Sequence, residues 1–191
     1  MESIYQKNKY AIGLTLGFFV FSIIIYLNRK SIKKGVIMLT EKVWDAISES
    51  RIETLHPSIR NAVRSFINEA QKQGIKLRIT SGFRTFAEQD ALYAQGRTKS
   101  GSIVTNAKGG FSNHNFGLAF DVVPIVNGKA DWNSKDWNKI GQIGKSFGFT
   151  WGGDWKNLVD KPHFEMMFGN SLTQLRNKYH SGDRQGEYVN V

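Results

Sequence analysis

Two short stretches concentrate the residues able to do chemistry: Ser112-Asn113-His114-Asn115-Phe116-Gly117-Leu118-Ala119-Phe120-Asp121 and, well downstream, Asp160-Lys161-Pro162-His163. Between them they offer two imidazoles and one carboxylate that could face a common point, with a second carboxylate nearby. That is the donor set of a catalytic zinc site. Two His and one Asp leave a fourth tetrahedral position open to water, whose pKa the ion lowers toward neutrality. A zinc hydrolase is the expectation.

A single His is more often structural than metal-binding, so the argument rests on the set. His114 sits in a polar Ser-Asn-His-Asn loop, and His163 follows Pro162 directly into an apolar strand. Asp121 lies among Leu, Ala, Phe and Val, where an unpaired carboxylate would cost several kcal/mol. A bound cation compensates it, and a buried salt bridge to Arg or Lys is the alternative. The chain has no Cys, which removes disulfides and thiolate metal sites.

The elements that must carry these residues can be read from periodicity. Pro57 to Gln73 repeats Ile59, Val63, Phe66, Ile67 and Ala70 at helical spacing, and Gly74 supplies the stop. Ile75 to Thr80 alternates apolar with polar, which predicts a strand with one face on the core. Thr85 and Glu88 form a capping box for a helix that ends near Gly96. A basic, Gly-rich loop follows from Arg97 to Gly110 and is expected to face the substrate.

Leu118 to Val123 reads as a buried strand, with Asn127-Gly128 as a hairpin turn after it. Ser134 is a plausible N-cap for a helix burying Trp137, Ile140, Ile143 and Phe147, closed by Gly148. The aromatics of Phe149 to Trp155 suit either the core or a groove wall. In the final strand His163 and Glu165 share one side, while Phe164 and Met166 take the other. Helices and strands mix without a regular βαβ rhythm. The expected class is therefore α+β, a small antiparallel sheet with flanking helices.

The 191 residues suit one domain plus appendages, and 40% hydrophobic with 13% aromatic residues argue for a folded chain. The formal charge of +10 raises the question of nucleic acid. However, six of the 26 basic residues but only one of the 16 acidic residues precede Gly35, so half of the net charge flanks the N-terminal apolar run. The rest is a mild basicity suited to an anionic polymer such as a cell wall. No basic-aromatic reading motif accompanies it, and no nucleic-acid partner is expected.

Tyr10 to Leu27 carries no charge over 18 positions, about 27 Å of helix, enough to span hydrocarbon. Asn28-Arg29-Lys30 stands where a signal peptide would want a cleavage site, so an uncleaved transmembrane helix is expected. Four basic residues follow the span and two precede it, which slightly favours a cytoplasmic C-terminal domain and conflicts with a wall substrate. An internal translation start at Met38 would resolve the conflict.

The motifs carry a resemblance. Ser-x-His-x-x-Gly-x-Ala-x-Asp with a later Asp-x-Pro-His is similar to the signature of the M15 zinc peptidases, which include D-alanyl-D-alanine carboxypeptidases. Ser81-Gly82-Phe83-Arg84-Thr85, Glu88-Gln89 through Thr98, Trp151-Gly152-Gly153-Asp154-Trp155 and Asp160-x-Pro162-His163 resemble, more narrowly, the L-alanyl-D-glutamate endopeptidases of phages and prophages. The resemblance implies that His114, Asp121 and His163 bind one Zn²⁺, that Asp160 is the general base, and that Arg84 stands by the scissile carbonyl. Glu165 is a rival base, ranked below Asp160 because the resemblance places Asp three residues before the last His. Ser112 and Asn113 are expected to orient the His114 loop or the outer hydrogen bonds that metal-bound imidazoles need on their other ring nitrogen.

The implied activity is cleavage of the L-Ala to D-Glu bond of peptidoglycan stem peptides. A D-Ala-D-Ala carboxypeptidase on the same scaffold, or a non-catalytic zinc-containing wall-binding domain, are the alternatives. The expected layout is a basic flank and membrane-spanning segment in 1–37, an M15-like peptidase domain over 38–169, and a C-terminal helix with polar tail in 170–191. A monomer, anchored by its single span and acting on the cell wall, completes the expectation.

Overall fold

The computed structural model describes residues 4–191, with side chains described from Ile25 onward, Glu41 excepted. Two compact units result, Met1–Val43 and Trp44–Val191. Helix α1 spans Ile4–Glu53. The side chains of the expected membrane span lie outside the described residues up to Ile24. Among the described residues no helix is long and apolar enough to cross a membrane.

In the second unit, α2 (Pro57–Lys72) starts as its sequence demands: the His56 side chain accepts from the Ser58 N–H and Pro57 occupies the first turn. Ile59, Val63, Phe66 and Ala70 form its buried stripe. Strand β1 (Leu77–Ser81) follows, then α3 (Phe86–Ala94), which opens on the Thr85/Glu88 capping box and ends two residues before Gly96. A one-turn 3₁₀ helix over Asn113–Phe116 precedes β2 (Ala119–Val126). Asn127 and Gly128, both at positive φ, turn β2 into β3 (Lys129–Ala130), as a primed hairpin turn requires.

Helix α4 (Trp137–Ser146) begins at Asp136, which caps it without a side-chain bond. Ser134, expected as the cap, instead accepts from the Asp136 N–H in the preceding turn. Strands β4 (Thr150–Trp151) and β5 (His163–Glu165), helix α5 (Leu172–Ser181) and a small hairpin of β6 (Arg184–Gln185) with β7 (Tyr188–Val189) complete the chain.

The main sheet runs β1-β2-β5-β4, with β3 on β2, and every pairing is antiparallel. The α+β expectation is met. Residues alternate across the sheet, so Phe120, Val122 and Phe164 enter the core while Asp121, His163 and Glu165 take the opposite face. The rings of Phe66, Phe120 and Phe164 pack at centroid distances of 4.9 to 6.2 Å. Helix α4 approaches this cluster through its two glycines. A Cβ on Gly141 would fall 2.3 Å from the Trp151 ring, and one on Gly144 would fall 2.3 Å from Phe164.

Arg78 departs from the alternation expected of β1. It is buried, its guanidinium meeting Asp45 and donating to the Leu77 carbonyl, while Ser48 accepts from the Ile79 N–H. The outer face of the strand is covered by the end of α1 rather than by water, so a charged residue there needs a carboxylate partner. Segment 170–191 adds Leu175 and Val189 to the same core, and His56 binds the Val189 carbonyl through Nε2.

Candidate active site

Strand register decides which of these residues meet. Asp121 pairs with Ser81 on one side and with His163 on the other, so the carboxylate sits at the centre of the sheet face. A bulge in β1 between Ile79 and Ser81 lies directly beside it. Bulges re-aim the residues that follow, here Gly82 to Arg84. His114 arrives from the 3₁₀ turn, whose exit needs Gly117: φ is +67° there, and a Cβ would lie 2.6 Å from the His56 nitrogen.

Nε2 of His114 stands 3.6 Å from Oδ1 of Asp121, and Nδ1 of His163 stands 3.2 Å from the same oxygen. One donor atom from each of the three residues lies within 4.8 Å of the others. Tetrahedral zinc with bonds of about 2.0–2.1 Å sets neighbouring donors about 3.3 Å apart, so the set fits that ion. The remaining ring nitrogens are occupied: Nδ1 of His114 lies 2.8 Å from the Gly82 carbonyl, and Nε2 of His163 lies 3.0 Å from Glu165. Each imidazole is thereby turned to offer its other nitrogen inward.

The cavity in front of this group measures about 600 Å³ and is lined by Arg84, Asp160, Trp155, Glu165 and the Val104–Ala107 segment among others. Asp160 reaches it through a tight turn. The His163 N–H donates to the Asp160 carbonyl at 3.2 Å, and the Asp160 N–H donates to Gly152 at 3.0 Å. Among the described residues no hydrogen bond engages the Asp160 carboxylate, whereas that of Glu165 takes Asn113 at 2.7 Å as well as His163.

Electrostatics separate the groups further. Burial holds the His114 imidazole below its ordinary pKa, which favours its neutral form. Burial would raise Asp121, but the imidazoles of His114 and His163 beside it prevail and hold it well below the carboxylate range. Asp160 is raised, by burial first and then by the Asp121 charge. Burial lowers His163, yet its bonds to Asp121 and Glu165 outweigh this and lift it to about 9. Glu165 is lowered because the bonds from His163 and Asn113 outweigh its burial.

A metal ligand must be neutral imidazole, so below pH 9 an incoming ion has to displace the His163 proton. Metal affinity should therefore fall up to about tenfold per pH unit as pH drops below that value, and this component should vanish above it. Calorimetry at pH 6 in buffers of different ionisation enthalpy should find about one proton released per zinc bound. No release would contradict the assignment of the His163 charge.

Arg84 lines the cavity as expected, and three residues that the motifs contain without an assigned role support the site. Gln89, fully buried, accepts from the Arg84 guanidinium at 2.8 Å and donates to the Ala107 carbonyl. Asn115 donates to the Arg84 carbonyl and accepts from the Gly110 N–H. Gly82 contributes only a carbonyl, which no side-chain pattern reports. Ser112 holds the turn that carries His114, its carbonyl accepting from the Asn115 N–H, and the Asn113 side chain donates to Glu165, the outer partner of His163. In the basic loop Arg97 is spent on holding the loop, bonded to Thr105 and Asn106 and stacked on Tyr93.

Gly152 is packed against the turn that carries Asp160 and His163. A Cβ there would lie 2.5 Å from the Asp160 carbonyl and 3.1 Å from Cβ of His163. Gly152→Ala should displace both residues and lower kcat/KM by roughly 10–100-fold while the chain stays folded. Steady-state kinetics beside a circular dichroism spectrum test this, and unchanged kinetics would mean that the turn yields freely.

An antiparallel sheet that presents a His-Asp-His set to an open cavity suits a metal-dependent hydrolase. The VanY family profile, described as D-alanyl-D-alanine carboxypeptidase, matches residues 52–165. The chain belongs to this family. It is 45% identical to the peptidoglycan L-alanyl-D-glutamate endopeptidase CwlK of Bacillus subtilis, over 59% of this chain and 74% of that protein. It is 30% identical to the L-alanyl-D-glutamate peptidase of Listeria phage A118, over 63% of this chain but 41% of the relative. Among solved structures, the LD-carboxypeptidase LdcB shares the fold at a TM-score of 0.50 and 18% identity, over 64% of each chain.

Proposed function

We propose that the protein is a zinc-dependent endopeptidase that cuts the L-Ala to D-Glu bond of peptidoglycan stem peptides. The observation that carries this reading is the 45% identity to a peptidoglycan endopeptidase of that specificity. It is supported by the convergence of His114, Asp121 and His163 on one point. In this reading those three residues hold one Zn²⁺. Once bound, zinc supplies Lewis acidity, lowering the pKa of water and polarising the scissile carbonyl.

The chain's own groups do the rest. Asp160, which lines the cavity and whose carboxylate takes no hydrogen bond among the described residues, takes the proton of the attacking water as the new C–O bond forms. It returns that proton to the D-Glu nitrogen as the C–N bond breaks. Arg84, held by Gln89 at 2.8 Å, donates to the carbonyl oxygen as negative charge grows on it. Trp155, whose ring centroid lies 5.0 Å from that of His163, shields the site from bulk water.

Purified peptidoglycan treated with the protein, with and without added Zn²⁺, and mass spectrometry of the released fragments test the reading. New N-terminal D-Glu, with L-Ala left on the muramic acid, is the expected product. Release of single D-Ala would move the activity to the carboxypeptidase branch. No metal-dependent product would favour a binding domain.

The 18 uncharged residues from Tyr10 to Leu27 support an N-terminal membrane anchor within 1–37, ahead of a peptidase domain over 38–169 and the segment 170–191. We place the protein at the membrane as a monomer whose peptidase domain works on the wall. Protease accessibility of the domain in intact protoplasts tests this: protection throughout would put it on the cytoplasmic side.

A further inference from the structure

We propose that Glu165 and Asn113 form a positioning pair for His163, fixing its ring so that Nδ1 rather than Nε2 is offered to the ion. The inference rests on the zinc reading above and concerns residues that reading leaves without a role. Glu165 follows His163 by two residues on β5, so both side chains rise from the same face of the strand. Its Oε2 lies 3.0 Å from Nε2 of His163, and the Asn113 amide donates to that same oxygen at 2.7 Å. On the opposite side of the ring, Nδ1 faces Oδ1 of Asp121 at 3.2 Å.

The consequence is chemical. A carboxylate can only accept, so Glu165 retains the Nε2–H. When an ion draws Asp121 to itself and displaces the Nδ1 proton, the ring is left as the tautomer whose lone pair is on Nδ1. Asn113 does the same one step further out: its N–H holds the carboxylate against the ring and keeps it from swinging into the cavity that Glu165 also lines. Because Asn113 belongs to the 3₁₀ turn that carries His114, the pair also ties together the two segments that bring the histidines. Glu165 therefore acts through His163, which leaves the proton-transfer role to Asp160.

Zinc affinity measured by chelator competition on the full-length chain tests the pair independently of any peptide cleavage. Glu165→Ala should weaken zinc binding roughly 10–100-fold, as loss of an outer hydrogen-bond partner commonly does. Glu165→Gln should recover most of that loss, since its amide oxygen still accepts from Nε2. Asn113→Ala should weaken binding several-fold, and the Glu165→Ala/Asn113→Ala double variant should be no weaker than Glu165→Ala alone, because Asn113 acts only through the carboxylate.

At saturating zinc the Glu165→Ala enzyme should regain kcat to within about tenfold of wild type, the least that a lost proton-transfer group costs being about 10²-fold. Unchanged zinc affinity in folded Glu165→Ala and Asn113→Ala proteins would overturn the proposal. A collapse of kcat that added zinc does not restore would also overturn it, by making Glu165 the base. If Glu165→Ala fails to fold, Asn113→Ala and Glu165→Gln still decide. A wild-type chain that binds no zinc would sink the zinc reading itself and is recognised from the wild-type measurement alone.

Discussion

Asp160→Ala is expected to keep zinc and to lose about 10²–10⁴-fold in kcat, the range that a positioned proton-transfer group contributes. The structure motivates both halves of this result. Asp160 is outside the His114, Asp121 and His163 donor set, so its removal leaves the ligands intact. It also lines the cavity beside them, its carboxylate taking no hydrogen bond among the described residues, while its burial and the Asp121 charge raise its pKa. A base works only when ionised. The rate should therefore fall as pH drops through the pKa that Asp160 has in the zinc-loaded enzyme, and this acidic limb should be missing from the Asp160→Ala profile. Metal analysis of the purified variant together with its pH–rate profile checks both halves. Wild-type turnover in a zinc-loaded variant would reassign the base.

His114→Ala should abolish zinc retention through purification and take wall cleavage to background. The imidazole is fully enclosed, anchored through Nδ1 to the Gly82 carbonyl at 2.8 Å, and Ala leaves only two donors at the site. Its effect on affinity should exceed the 10–100-fold typical of a lost outer partner. Thermal unfolding of both metal-free proteins separates metal loss from misfolding, because the metal-free wild type lacks the ion as well. A His114→Ala protein that retains zinc and full activity would remove His114 from the ligand set.

How much of this was legible in the chain depends on whether the information is local. The helix of Pro57 to Lys72, the Thr85/Glu88 cap and the Asn127-Gly128 turn are read directly, since capping and turn chemistry act within a few residues. The start of α4 is not: Ser134 has the right chemistry for a cap, but the chain uses it one turn earlier, against the Asp136 N–H. Arg78 looked like a solvated strand residue because alternation reports only which face a residue takes. What covers that face is decided by the end of α1, through Asp45 and Ser48.

The same division runs through the site. Sequence alone determined the donor types, with His114, Asp121 and His163 as potential ligands, and the α+β class that carries them; the roles of Asp160 and Arg84 were implied by the family resemblance. Residue identity sets charge, hydrogen-bonding capacity and metal preference without reference to the fold. Only the tertiary structure decided how they are used. The β2–β5 register put Asp121 beside His163, the β1 bulge aimed Gly82 at His114, and the pairing of Glu165 with Asn113 separated it from Asp160. These choices depend on distances of about 3 Å between residues far apart in the chain, and no local pattern encodes them.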